Sequence, residues 1–100
     1  MSSDRIRALG KIYAQGETSE IVDLALEKLF KYELIESRKQ LTELEEYLAE
    51  FEDNYSLSSE VFHADFQSGQ MGDDMDYIEW ASLYQMAERL KKRILILEES

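Results

Sequence analysis

The stretch that decides the fold is residues 20–53, which read EIVDLALEKLFKYELIESRKQLTELEEYLAEFED. It contains neither proline nor glycine, and Leu, Glu, Lys and Ala, which favour helices, occur throughout it. Thr18 is a suitable N-cap, Glu20 suits the positive end of a helix dipole, and Asn54 follows as a terminator. The sequence therefore predicts one long helix from Glu20 to about Asp53.

The apolar pattern of this stretch changes halfway along it. Between Glu20 and Ile35 a narrow polar stripe is surrounded by apolar residues, and a helix of this kind must be buried on several sides. From Leu41 onward the apolar residues are spaced three and four apart and form a single seam, as in a coiled coil. The seam consists of Leu41, Leu44, Leu48, Phe51 and Tyr55.

Three further helices are predicted around the long one. A first helix over residues 4–15 ends at Gly16, and a third helix begins after the N-cap Ser58 and ends near residue 69. The fourth runs from residues 74–76 to about residue 98 and repeats the single seam at Trp80, Leu83, Ala87, Leu90, Ile94 and Leu97. Two matching seams predict an all-α protein with an antiparallel helical hairpin.

The length of the central helix bears on the oligomeric state. A helix over residues 20–53 would be about 51 Å long, whereas a compact globule of this chain length has a radius of gyration of about 13 Å. The short first helix cannot cover so much apolar surface. We therefore expect a homodimer through residues 1–35 and an acidic hairpin over residues 36–100. The expected dimerisation residues are Ile21, Val22, Ala25, Leu26, Leu29 and Phe30.

Charge is distributed unevenly over the 100 residues, whose formal net charge is −11. Residues 40–88 hold thirteen acids and no lysine or arginine, although large apolar residues also occur there. This distribution disfavours nucleic acid or an anionic membrane along the whole surface and favours a basic partner. The absence of cysteine excludes disulfides and thiol catalysis, and no apolar run is long enough to span a membrane, so we expect a cytoplasmic protein.

The densest polar cluster is residues 72–79, which read GDDMDYIE. Its four carboxylates either hold Mg²⁺ or Ca²⁺ or cap the fourth helix. The calcium-loop spacing fails, because Met75 and Tyr77 occupy the third and fifth positions counted from Asp73. The capping interpretation is therefore favoured.

Aromatic residues lie on both sides of this acidic segment. Those on the third and fourth helices either close the hairpin tip as a small core or anchor a protein partner within an acidic rim. The expected partner-binding residues are Phe62, Phe66, Asp73, Asp74, Asp76, Tyr77, Glu79, Trp80 and Tyr84.

The sequence contains few residues in patterns that are typical of an enzyme active site. His63 is the single histidine, and Asp65 is close to it in sequence, but no serine or cysteine motif accompanies them. The glycines form no phosphate-binding loop. We expect no enzymatic activity and no cofactor, and an enzyme that uses carboxylate-bound metal is the least favoured alternative.

Residues 16–30 read GETSEIVDLALEKLF and resemble the second helix of ribbon-helix-helix antitoxins, where a Gly-x-Thr/Ser opening precedes Ser-Glu-Ile and an Ala-Leu step. The resemblance implies an intertwined dimer and a preceding strand that reads DNA. Residues 3–9 are either such a strand, with Arg5 and Arg7 outward, or the start of the first helix. Arg5, Arg7 and Lys11 are the candidate DNA-binding residues.

Residues 56–69 and 72–80 are similar to the C-terminal part of small prokaryotic antitoxins. This resemblance implies that the C-terminal half wraps a toxin, often a basic ribonuclease. Together with the charge pattern it predicts the antitoxin of a toxin–antitoxin system, with autoregulatory DNA binding as a further role left open. The alternative is a small structural or adaptor protein whose hairpin packs into a larger assembly.

Overall fold

The computed structural model describes residues 2–17 and 19–99, and this part of the chain contains four helices and no strand. They are α1 (Ser2–Ala14), α2 (Glu20–Tyr55), α3 (Ser59–Gln67) and α4 (Met75–Glu99). The predicted all-α class and the order of the helices are confirmed. None of the helices over these residues is long and apolar enough to cross a membrane.

The start of the chain is helical, not extended. Residues 3–9 belong to α1 and do not form the alternating strand that their sequence also allows. At the start of α2, the predicted N-cap Thr18 lies outside the described residues. Ser19 accepts a hydrogen bond there from the backbone N–H of Val22, at 3.5 Å.

The helix ends follow local chemistry, with one exception. Ser58 has an extended backbone and its Oγ accepts from the N–H of Val61 at 3.2 Å, so the predicted N-cap of α3 is confirmed. The exception is the end of α2, because Asn54 is helical and Ser56 takes the left-handed conformation at φ 52° instead. Tyr55, the second of the two residues by which α2 extends beyond the predicted end at Asp53, packs its ring on Tyr77 of α4.

The chain divides into two units, Met1–Tyr32 and Glu33–Ser100, and α2 contributes residues to both. In the first unit, large apolar side chains remain exposed. Ile21 is 81% exposed and Leu29 is 53% exposed, while Val22 and Leu26 are half-buried. This unit leaves much of its apolar surface in contact with water.

The second unit has a closed aromatic core. Phe62 and Trp80 have no exposed surface, and their rings stack with centroids 3.8 Å apart. Phe51 stacks on Trp80 at 5.4 Å. The indole N–H of Trp80 donates to Ser59 Oγ at 2.8 Å, which satisfies a buried donor. Leu44, Leu48, Ala81 and Ala87 complete the buried cluster.

Contacts within the second unit join α2 to α4 near both ends of α4. The last turns of α2 meet the first turns of α4, where the Tyr55 hydroxyl donates to Asp76 at 2.7 Å. Towards the C-terminal end of α4, Arg93 forms an ion pair with Glu33, and Arg38 lies 3.4 Å from Glu98. Both predicted seams contribute buried residues to the core between these contacts.

Candidate functional site

The nine residues predicted to bind a partner fall into a buried and an accessible group. Phe62 and Trp80 are fully buried in the single chain, and the ring centroid of Phe62 lies 5.7 Å from those of Phe66 and Tyr77. The half-buried members are Phe66, Tyr77 and Tyr84, and the exposed ones are Asp73, Asp74, Asp76 and Glu79.

Asp74 and Asp76 form hydrogen bonds at the start of α4. Oδ1 of Asp74 accepts from the N–H of Asp76 at 2.9 Å, and its carbonyl accepts from the N–H of Ile78 at 3.0 Å, as an N-cap residue does. Oδ2 of Asp76 accepts from Tyr55. Nowhere in residues 2–17 and 19–99 do three or more histidine, aspartate or glutamate side chains form a group that could hold a metal ion.

The bond between Tyr55 and Asp76 also changes the acidity of the tyrosine. The pKa of Tyr55 is raised to about 12, mainly by this hydrogen bond and secondarily by desolvation. The hydroxyl is therefore protonated at neutral pH and donates to the carboxylate. This contact connects the end of α2 to the first turn of α4.

An acidic cleft of about 530 Å³ lies within the second unit. Its carboxylates come from three helices, and among the described residues that line it Lys91 is the only base, paired with Glu88 at 3.1 Å. Burial, followed by the charges of Glu88 and Glu60, raises the pKa of Tyr84. The cleft is lined by Glu45, Leu48, Glu52, Ser58, Ser59, Glu60, Tyr84, Glu88 and Lys91.

Of the cleft residues, only Tyr84 is predicted from the sequence to bind a partner. The carboxylates were missed because they are far apart in the chain and converge only after folding. One signal was available, since Glu45 and Glu52 are seven residues apart and therefore lie on one face of a helix. Glu52 also has a structural role, because its Oε2 accepts from the N–H of Ser59 at 2.8 Å.

His63 lies beside the cleft residue Tyr84, with ring centroids 4.7 Å apart. The side-chain amides of Gln67 and Gln85 approach its Nε2 to 3.2 and 3.3 Å. The contacts with Tyr84 and Gln85 connect α3 to α4, whereas the contact with Gln67 lies within α3. Asp65, its sequence neighbour, is not among the hydrogen-bond partners of His63 in the described part of the chain.

A second groove, of about 570 Å³, lies between other faces of α2 and α4. Apolar side chains alternate there with charged ones, and sequence analysis did not identify it. Its basic residues come from the end of α4, beyond the acidic region of the chain. The lining residues are Gln40, Glu43, Leu44, Tyr47, Met86, Arg89, Leu90 and Arg93.

The candidate DNA-binding residues all lie exposed on α1. Arg7 and Lys11 are four residues apart and share one face of the helix. Arg5 is two residues from Arg7 and points to a different face. The helix therefore brings together two of the three bases.

Comparisons of this chain with protein-family models, with curated proteins and with solved structures find no match.

Proposed function

We propose that this protein is a non-enzymatic, antitoxin-like binding protein of the cytoplasm. Two copies join through residues 1–35, and the second unit of each forms an antiparallel hairpin arm. The arm covers a basic protein partner, such as a cationic ribonuclease, and neutralises it by direct binding. The observation that carries the proposal is the acidic cleft around Tyr84.

The charge of the cleft supports a cationic partner. Carboxylates of Glu45, Glu52, Glu60 and Glu88 surround a half-buried tyrosine whose ring can pack on an arginine or lysine side chain. Opposite potentials across an interface speed association, and aromatic anchors slow dissociation. A basic ribonuclease covered in this way would meet carboxylates where it binds RNA phosphates.

The hairpin arm is supported by the contacts of the second unit. Phe51 and Tyr55 at the end of α2 stack on Trp80 near the start of α4. Arg93 near the other end of α4 pairs with Glu33, which lies earlier in α2. An antiparallel arrangement of the two helices accounts for both sets of contacts.

The dimer is supported by the exposed apolar surface of the first unit. Ile21, Leu24 and Leu29 are each more than half exposed. Removing such side chains from water stabilises an association by about 25 cal/mol per Å² of apolar surface before the entropy of association is subtracted. A second copy presents the same apolar residues and so matches this surface.

Association kinetics test the proposal, with the protein encoded by the adjacent gene as the partner. Changing Glu45 and Glu60 to Lys reverses two exposed charges of the cleft, and we expect slower association with a weaker dependence on salt. Tyr84→Ala should mainly raise the dissociation rate. The matched control is Asp53→Lys, an exposed reversal on α2 outside the cleft. Absence of a complex with that protein would contradict the proposal.

A structural or adaptor role is the second candidate. It is favoured by the internal hydrogen bonds of Asp74 and Asp76, which use both carboxylates to build the hairpin tip. The kinetic experiment separates the two candidates. Unchanged partner binding by a folded variant with Glu45→Lys and Glu60→Lys would favour the adaptor.

Autoregulatory DNA binding is a further part of the proposal. Arg7 and Lys11 of two copies supply about four phosphate contacts, so affinity should be modest and should fall steeply with salt. Gel retardation of the native promoter fragment at low salt, with and without the partner, tests this role. If the fragment is not retarded under either condition, autoregulatory DNA binding is excluded from the proposal.

A further inference from the structure

The second groove, of about 570 Å³ between α2 and α4, carries both charged and apolar side chains on each of its two walls. We call it the Tyr47–Met86 groove. One wall carries Glu43 and Tyr47 from α2, and the other carries Met86 and Arg89 from α4. Tyr47 is 56% exposed and Met86 is 43% exposed. The groove therefore has one acidic wall and one basic wall, each with a large apolar side chain.

The charged side chains of the two walls, Glu43 and Arg89, are exposed and accessible to a partner. On the acidic wall, Glu46 and Glu50 flank Tyr47 in a shallow depression of about 280 Å³ that also includes Glu43. On the basic wall, Arg89 takes part in none of the ion pairs found among the described residues. An occupant that matches this groove must offer a carboxylate to Arg89 and a cation to the acidic wall.

We propose that a second copy of this chain binds in the Tyr47–Met86 groove. The chain itself carries both required charges at the required spacing, since its α2 wall complements its own α4 wall. This inference rests on the antiparallel hairpin of the proposed function. It is separate from the dimer through residues 1–35.

Symmetry decides how the two copies meet. A two-fold axis parallel to the helices places α2 of each copy over α4 of the other at the same height. Tyr47 of one copy then meets Met86 of the other, and Glu43 meets Arg89, each contact occurring twice. Aromatic–thioether and acid–base contacts are both favourable at an interface.

The alternative two-fold axis lies across the helices and is disfavoured by charge. It would place α2 over α2, so that Glu43 and Glu46 of the two copies face each other. Like charges brought together in an interface oppose association. The charge pattern therefore selects the arrangement in which α2 covers α4.

Disulfide trapping tests this geometry directly, because the natural chain has no cysteine. Full-length Tyr47→Cys and Met86→Cys proteins are mixed in equal amounts and oxidised mildly. We expect the mixed product, linked between positions 47 and 86, to form at least about tenfold faster than when Ala49→Cys, exposed on α2 outside the groove, replaces Tyr47→Cys. A predominant 47–47 product, or a mixed product no faster than the control, would overturn the proposal.

A charge-swap cycle gives an independent measurement by sedimentation. In a Leu29→Glu background, which disables the proposed N-terminal dimer, Glu43→Lys or Arg89→Glu alone should raise the dissociation constant roughly tenfold. The double variant should return to within about twofold of the background, while Lys92→Glu, exposed on α4 outside the groove, changes little. A double variant that self-associates more weakly than either single variant would refute the groove contact. The same result would leave the N-terminal dimer and the acidic cleft unaffected.

Discussion

Phe62 in the second unit and Ile21 in the first are both large apolar side chains, yet Phe62 is fully buried and Ile21 is 81% exposed. The second unit has α3 as a third element beside α2 and α4, and its rings close around Trp80. The first unit has α1 and the start of α2. Two short segments cannot cover each other on all sides, so much of the apolar surface of the first unit stays exposed in the single chain.

The largest loss of stability is expected from a substitution in the aromatic core of the second unit. Trp80→Ala removes a fully buried ring that stacks on Phe62 and donates to Ser59, and it should lower the free energy of unfolding by about 3–5 kcal/mol. Urea denaturation followed by circular dichroism measures the loss. Leu95→Ala, at a 60% exposed position of the same helix, is the control and should cost much less. Equal losses would mean that the ring core is not the centre of this unit.

The second-largest effect is expected on dimerisation through the first unit, whose apolar side chains are exposed. Leu29→Glu places a carboxylate in the proposed dimer interface, and desolvation should weaken dimerisation by several kcal/mol, a rise of about 100-fold or more in the dissociation constant. Because Leu29 is 53% exposed, the fold of the single chain should tolerate the change. Sedimentation at micromolar concentration measures it, with Lys28→Glu as the neighbouring control. A monomeric natural protein under these conditions would end the dimer proposal.

A smaller effect is expected at the start of α3. Ser58→Ala removes the acceptor for the N–H of Val61 and should cost about 1 kcal/mol of stability. Ser58→Asp keeps an acceptor at the N-cap and should retain most of that stability. Thermal melts of the two variants at equal concentration compare them. Equal losses in both would show that the capping bond contributes little.

The smallest effect concerns the link between Tyr55 and Asp76. The pKa of Tyr55 rises from about 10 in the unfolded chain to about 12 in the folded protein, so its contribution is complete below pH 10 and is lost as the pH rises from 10 to about 12. Tyr55→Phe should therefore make the decline of stability over this range shallower. Denaturation at several alkaline pH values measures the slope, and Asp76→Asn, which removes the charged acceptor, should change it in the same direction. An unchanged slope in both variants would contradict this linkage.

Local chemistry determined much of the helical pattern. The N-cap Ser58, the glycine at position 16 and the absence of proline act over a few residues, so the four helices could be predicted from the chain alone. The capping role of Asp74 was predictable for the same reason. The partner-binding and dimerisation roles stay predictions that the experiments above are designed to decide.

Tertiary structure decided what depends on residues far apart in the chain. The aromatic spacing allowed Phe62 and Trp80 either a surface or a core position, and only their stacking across 17 intervening residues placed them inside. The last residue of α2, Tyr55, makes ring contacts with Tyr77 and Trp80 of α4. The acidic cleft likewise combines carboxylates from α2, α3 and α4. Helix signals are local because capping and propensity act within one or two turns, whereas burial and charge convergence depend on which helices pack together.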